Sequence, residues 1–256
     1  MSQIEQDPLS RSPEGALNFR DVGGLTAGPG RRIRHGQLFR SDTLQFLTKS
    51  DVDVLVKLLG VQTEVDLRLG YEVREEGRGL LGDAPVAYHH LPFVVRSSQQ
   101  VGTATPILDG DDPIVPHYLA YLEHSAPSLA GAVRALCGHD VLPAVVHCAA
   151  GKDRTGVAIA FALSVVGVTD EDIAGDYAAS PENIPMVFAR LRTMKSYGDS
   201  IDDLPPKANI NPPEYMLRFL GEVRARYGGP REWLLAHGLH EEELDRLRDN
   251  LTESFP

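Results

Sequence analysis

The chain has 256 residues, 42% of them hydrophobic, enough to bury a sizeable core in one large domain. Its formal charge of −11 repels polyphosphates on average and excludes a general nucleic-acid or anionic-membrane binder, leaving room only for a local basic pocket. Two cysteines, Cys137 and Cys148, are too few for a disulfide framework and fit a reducing compartment.

The first residues carry no basic stretch followed by an apolar one, and nothing later has the length of a membrane span. The expectation is therefore a cytoplasmic protein, or one secreted without a recognisable signal peptide, with no integral membrane segment. Residues 1–16, polar and with two prolines, read as a disordered lead-in to a single domain over 17–256. Glycines at 23, 24, 28, 30 and 36 punctuate short extended pieces, and Leu38-Phe39 begins a strand. Thr48 is placed to cap a helix whose apolar positions Val52, Leu55, Val56 and Leu59 keep helical spacing up to Gly60. Val61, Thr63, Val65 and Leu67 alternate as in a strand ending in Asp66-Leu67-Arg68, and residues 86–93 form another extended run. Residues 96–116, rich in Ser, Gln, Gly, Thr, Asp and Pro, read as a long loop.

Helical patterning resumes through Tyr118 and Leu122, breaks near Pro127 and continues to Cys137. Residues 141–146 are continuously apolar, as a buried central strand requires, and residues 157–166 read as a buried helix closed by Gly167. Thr169 and Ser180 are helix caps, Met186, Leu191 and Met194 lie on one helix, residues 196–213 are again loop-like, and helices cover 215–227, 230–237 and 241–251. Strands and helices alternate over the first two thirds, which predicts an α/β fold with a central, mostly parallel sheet and a helical C-terminal portion.

Between the central strand and its following helix, residues 147–156 read His-Cys-Ala-Ala-Gly-Lys-Asp-Arg-Thr-Gly. A loop at the carboxyl end of a strand and at a helix N-terminus is an anion site: backbone N–H groups of Ala149, Ala150, Gly151, Lys152 and Asp153 converge, and the helix dipole adds positive potential. Arg154 forks two parallel hydrogen bonds to a phosphate, as a lysine could not. In that field the thiolate of Cys148 is a nucleophile for phosphorus, giving a cysteinyl phosphate that water then hydrolyses. His147 is placed to fix the loop, and Thr155 to hydrogen-bond the sulfur.

At these residues the chain resembles the cysteine-dependent protein tyrosine phosphatase superfamily, whose signature is His-Cys, five residues, Arg, then Ser or Thr. Asn18-Phe19-Arg20-Asp21-Val22-Gly23-Gly24, Leu38-Phe39-Arg40-Ser41, Asp66-Leu67-Arg68 and Gly151-Lys152-Asp153-Arg154-Thr155-Gly156 extend the likeness to the bacterial tyrosine/serine phosphatase family that includes a mycobacterial phosphatase B. The resemblance implies the tyrosine phosphatase fold, no metal or other cofactor, and a phosphorylated protein, lipid or small molecule as substrate. Phosphotyrosine comes first, with dual specificity, a phosphoinositide or a specialised small phosphate ester as alternatives. It also implies a helical lid over about 180–213. Lys152, Asp66, Arg68, Arg20 and Asp21 are supporting candidates, Lys152 as a cation for further phosphates.

The chain departs from the family at its general acid. The carboxylate expected after the strand near His90 is absent, and Val95 stands there. Since a general acid contributes roughly a hundred- to ten-thousand-fold, another group must act. Asp153 is the first candidate, as an acid or as the base for the second step, and Asp109, Asp111 and Asp112 are alternatives. A phosphate-binding pseudophosphatase would lack an acid too, but the intact Cys148 argues against it; a sulfurtransferase would not need Lys-Asp-Arg-Thr-Gly. Cys137 on an apolar stretch reads as core, and His89-His90, pointing to opposite faces, as structural.

Overall fold

The computed structural model describes residues 9, 11–94, 114–179, 184–201 and 210–255. Its main sheet contains β1 (Arg20–Asp21), β3 (Leu38–Ser41), β6 (Ala144–His147), β4 (Thr63–Asp66) and β5 (Ala87–His90), side by side in that order. Four of these strands are parallel, and only β1 runs antiparallel, against β3. The α/β fold with a mostly parallel sheet is therefore as the alternation of patterns predicts. A second ribbon pairs β2 (Arg31–Ile33) with β7 (Thr252–Ser254) and ties the chain's last strand to its beginning.

Central β6 is buried along its whole length, with parallel neighbours on both sides. Its side chains alternate between two cores, as the pleat demands. Val145 packs with Phe39, Leu44 and Leu55, under α1 (Lys49–Asp53) and the π-helical turn Val54–Leu58 that continues it. Ala144 and Val146 face the larger core of α3 (Ile114–His124), α4 (Ala126–Ala135), α5 (Asp153–Val165), α6 (Asp170–Ala178), α8 (Pro213–Tyr227), α9 (Pro230–Ala236) and α10 (Glu241–Leu251). Helix α5 is apolar on every side because α4, α6, α9 and the sheet enclose it. No described helix is long and apolar enough to cross a membrane.

Several boundaries follow from named contacts. Thr48 and Asp51 form a reciprocal cap at the start of α1. The same Asp51 carboxylate accepts the backbone N–H groups of Glu14 and Gly15, so these residues, expected in a disordered lead-in, are tied to the fold. Thr169 caps α6 through the Asp172 N–H, whereas Ser180 lies outside the described residues. Helix α3 already runs at Ile114, inside the stretch expected to be a loop, with Pro116 in its tolerated first turn. The sequence reading does not foresee β1, β7 or α2 (Gly70–Glu76), and it gives β2 only as an extended piece between Gly30 and Gly36. The three strands are two or three residues long, too short to show a period.

Candidate active site

Strand β6 ends at His147 and delivers Cys148 to the carboxyl edge of the sheet, where open α/β folds bind ligands. The loop that follows is held from outside by its carbonyls. Ala149 O accepts the Thr43 N–H at 3.1 Å, Ala150 O accepts from Asn18 Nδ2 at 3.0 Å, and Gly151 O accepts from Arg40 Nη2 at 2.9 Å. With these carbonyls drawn outward, the loop's interior is left to N–H groups, and the Gly151 N–H points at Cys148 Sγ, 3.3 Å away. Gly151 is required there: its φ is +68°, and a Cβ would fall 2.6 Å from Asp42 N and closer still to the Ser41 carbonyl.

Helix α5 begins at Asp153, ahead of the apolar run 157–166 that marks it in the sequence, so Asp153 and Arg154 sit in its first turn and not in the loop. A carboxylate is favourable at that end of a helix. Gly156 lets α5 approach α6: a Cβ there would lie 3.0 Å from the Tyr177 ring.

The Arg154 guanidinium is buried and forked on Glu72 of α2, with Nη1–Oε2 at 2.6 Å and Nη2–Oε1 at 3.2 Å. Tyr197 bridges the pair, donating to Glu72 Oε1 at 2.5 Å and accepting from Arg154 Nη2 at 2.9 Å. Burial alone would raise the Glu72 carboxyl, but Arg154 and the Tyr197 hydroxyl hold it below the usual range; Glu72 in turn lifts Arg154 well above its own, against the effect of burial. The fork is thus pre-set in a plane with its charge retained. Sequence reading missed Glu72 and Tyr197. The usable signal was Arg154 itself, since a buried guanidinium needs an anion and Glu72 begins the run of carboxylates after Arg68.

Asp153 sits among tyrosines. Tyr118 of α3 donates to its Oδ1 at 2.6 Å, the Tyr177 hydroxyl of α6 lies 2.8 Å from that of Tyr118, and Lys152 Nζ is 3.6 Å from the same Oδ1. Against the upward push of burial, Lys152 and Tyr118 hold the Asp153 carboxyl below its ordinary range. Lys152 is itself buried, its ammonium beside Asp153. Above the loop, Ala149 and Ala150 pack with Val187, Phe188 and Leu191 of α7 (Ile184–Leu191) and with Met194. Met186 of the same helix points to solvent.

The stretch of chain that contains this cysteine and arginine matches a known family. Residues 12–253 match the model described as the tyrosine phosphatase family. The chain belongs to that family. Among its relatives is the triple specificity protein phosphatase PtpB of Mycobacterium tuberculosis, 29% identical over 211 residues, covering 72% of this chain and 74% of PtpB. Another, provisionally named a tyrosine-protein phosphatase, comes from Cupriavidus necator and is 31% identical over 191 residues, covering 69% of this chain and 68% of the relative. The chain is a phosphatase, a phosphoric monoester hydrolase.

The other sequence candidates of this phosphatase fall into two groups. Arg20 meets the loop indirectly: Nη1 donates to Asn18 Oδ1 at 2.8 Å, and Nε pairs with Asp176 Oδ1 at 3.1 Å. Asp176 of α6 also pairs with Arg40, which sequence reading left unweighed. Burial and the neighbouring Arg40 lower the Arg20 guanidinium to about 10. Asp66 and Arg68 form a buried fork in which burial opposes, and His147 with Arg68 enforces, a carboxyl well below the usual range. Arg68 Nη1 continues to Gln45 at 2.8 Å and Thr43 at 3.3 Å, and Thr43 N–H holds Ala149 O, so this ion pair braces the loop from behind.

The remaining candidates stand away from the sulfur. Asp21 accepts the Gly23 and Gly36 N–H groups and pairs with His35, at the far end of β1 from the loop's contacts. His147 turns under the strand, with Nε2 3.2 Å from Glu64 and Nδ1 3.4 Å from Cys148 O. Thr155 Oγ1 is buried and has no hydrogen-bond partner among the described residues, so the contact to the sulfur is made by Gly151. Glu64, Asp66 and His147 bring ligand atoms within 4.8 Å of one another, but Arg78 and Arg68 already neutralise the two carboxylates. Val95, Asp109, Asp111 and Asp112 lie outside the described residues. Cys137 is core, its thiol pushed up to about 12 by burial.

Proposed function

We propose that this phosphatase hydrolyses phosphate monoesters through a cysteinyl phosphate on Cys148, with protein phosphotyrosine as its first substrate class and dual specificity beside it. The observation that carries this reading is the Gly151 N–H directed at the sulfur from a loop whose carbonyls are held outward. Cys148 Sγ attacks phosphorus as the ester P–O bond breaks, and the alkoxide or phenoxide leaves to be protonated from water. Arg154 and the loop amides hold the equatorial oxygens while charge redistributes. Water then attacks phosphorus, the P–S bond breaks, and orthophosphate leaves with the thiolate restored.

Asp153, held as a carboxylate, suits the second step, where it takes the proton of the attacking water. The apolar roof of Val187, Phe188, Leu191 and Met194 over Ala149 and Ala150 favours a flat aryl group over a polyol, and acts as the lid that substrate displaces. The name of the mycobacterial relative favours breadth among phosphorylated substrates. A panel of phosphotyrosine, phosphoserine and phosphothreonine peptides, phosphoinositides and small phosphate esters, with Cys148→Ser as blank, tests the proposal. Phosphopeptide turnover that vanishes in the blank is expected; retained activity in Cys148→Ser removes the mechanism, and turnover of phosphoinositides alone removes the substrate class.

A further inference from the structure

Val95 stands where the family's general acid is expected, and Asp153, in the first turn of α5 beside Arg154, is surrounded by more machinery than an ordinary helix-end aspartate has. Helix α3 supplies His117 and Tyr118, α6 supplies Tyr177, and Lys152 and Arg154 flank Asp153 in the chain. Tyr118 is fully buried, and burial and Asp153 keep its hydroxyl protonated far beyond the working range. A hydroxyl has one proton. Tyr118 spends it on Asp153 Oδ1, and an ionised carboxylate has none to give back, so the contact with Tyr177 must run from the Tyr177 hydroxyl to the Tyr118 oxygen. The result is a one-way chain, Tyr177 to Tyr118 to Asp153, that ends on one carboxylate oxygen.

We propose that Tyr118 and Tyr177 are positioning residues that orient Asp153 and keep it ionised for the hydrolysis of the cysteinyl phosphate. This rests on the reading of Asp153 given above. Tyr118 and Lys152 both approach Oδ1, and the Asp153 side chain is 22% exposed, so Oδ2 is the oxygen turned to a water. In that step the water oxygen bonds to phosphorus, its proton passes to Oδ2, and the electrons of the P–S bond return to sulfur. The tyrosine chain explains two features of the sequence. Gly156 has no side chain because the Tyr177 ring lies against α5 there, and Tyr118 is held in ring contact with Tyr177 and Phe219 at 6.3 and 5.6 Å.

The test is a set of pH–rate profiles and rapid-quench bursts with an activated aryl phosphate, whose leaving group needs no acid. The variants are Tyr118→Phe, Tyr177→Phe, Asp153→Asn and the Tyr118→Phe/Asp153→Asn pair. A hydrogen bond to a charged group is worth about one pH unit or slightly more, so the acid limb of kcat moves up by about one unit in Tyr118→Phe, roughly a tenfold loss on the limb. The burst of the first step persists while steady-state turnover slows. Tyr177→Phe shifts the limb in the same direction by less, and tests the inference even if Tyr118→Phe does not fold. In the Asp153→Asn background the tyrosine substitution has no further effect.

A packing role alone would leave the limb where it is. An unmoved limb in both tyrosine variants, or full additivity in the pair, overturns the inference while leaving Asp153 in place. An Asp153→Asn enzyme with an intact limb and normal second step overturns the assignment of Asp153 and this inference with it.

Discussion

His117 gives the fold a predictable weakness in acid. It is 3% exposed on α3, its Nε2 lies 2.7 Å from the Tyr121 hydroxyl, and its Nδ1 has no partner among the described residues. Burial lowers its pKa to about 4, Asp153 opposing and Arg154 and Lys152 assisting. In the unfolded chain an imidazole titrates near ~6.5, so the folded state disfavours the proton. The stability tied to the neutral ring is fully present above that value and is lost as pH falls toward the folded pKa. Integrated from about pH 7.5 to about pH 5, the loss is about 2 kcal/mol.

Asp42 works in the opposite sense, since burial raises its carboxyl to about 6 despite its contacts with Asn18 and Arg190, and its penalty fades in acid. Only a comparison with a variant isolates the histidine. Urea unfolding of wild type and His117→Gln at both pH values supplies it: wild type loses about 2 kcal/mol more than the variant between them. Equal losses in the two proteins refute the argument that a neutral buried imidazole sets this slope.

Three further outcomes follow from the loop and its supports. Gly151→Ala forces a side chain into left-handed backbone and against Ser41 and Asp42; at about 1–2 kcal/mol for the backbone alone, plus the collision, calorimetry records a melting point lowered by several degrees. Aryl phosphatase activity falls further than that loss of stability accounts for. Glu72→Gln leaves the buried Arg154 charge uncompensated, at about 3–5 kcal/mol, and because an oxyanion can replace the lost carboxylate, orthophosphate raises the variant's melting temperature more than that of wild type. Asp176→Asn leaves Arg20 and Arg40 adjacent without their shared counter-ion; a comparable loss in urea unfolding is expected, with turnover reduced because Arg40 no longer holds Gly151 O firmly.

The parts legible in the sequence are those whose signal is local. The apolar run before His147, the all-apolar helix after Gly156 and the spacing of Cys148 to Arg154 each lie within one short window, and they point to the buried strand, the enclosed helix and the anion loop between them. The same reading places Thr48 and Thr169 as caps, since a cap and its helix are neighbours in the chain. What stayed hidden is joined across the chain. Glu72 reaches Arg154 over 82 residues, Tyr118 reaches Asp153 over 35, and no local pattern reveals either pairing. Strand β7 is three residues long and exists because β2, near the other end of the chain, pairs with it. The need for Gly156 is hidden for the same reason: its neighbour in space, Tyr177, is not its neighbour in sequence.

The brace of Arg20, Arg40 and Asp176 has a consequence for how the protein is made. Both arginines belong to the first strands synthesised, and their common carboxylate lies 156 and 136 residues further on. Until α6 has left the ribosome, two cations stand side by side at the place where the loop's Gly151 and Ala150 carbonyls are to be fastened. The shape of the loop therefore waits on the chain reaching α6, and a product terminated before Asp176 carries the cysteine and the arginine of the signature without the frame that turns their loop toward phosphate.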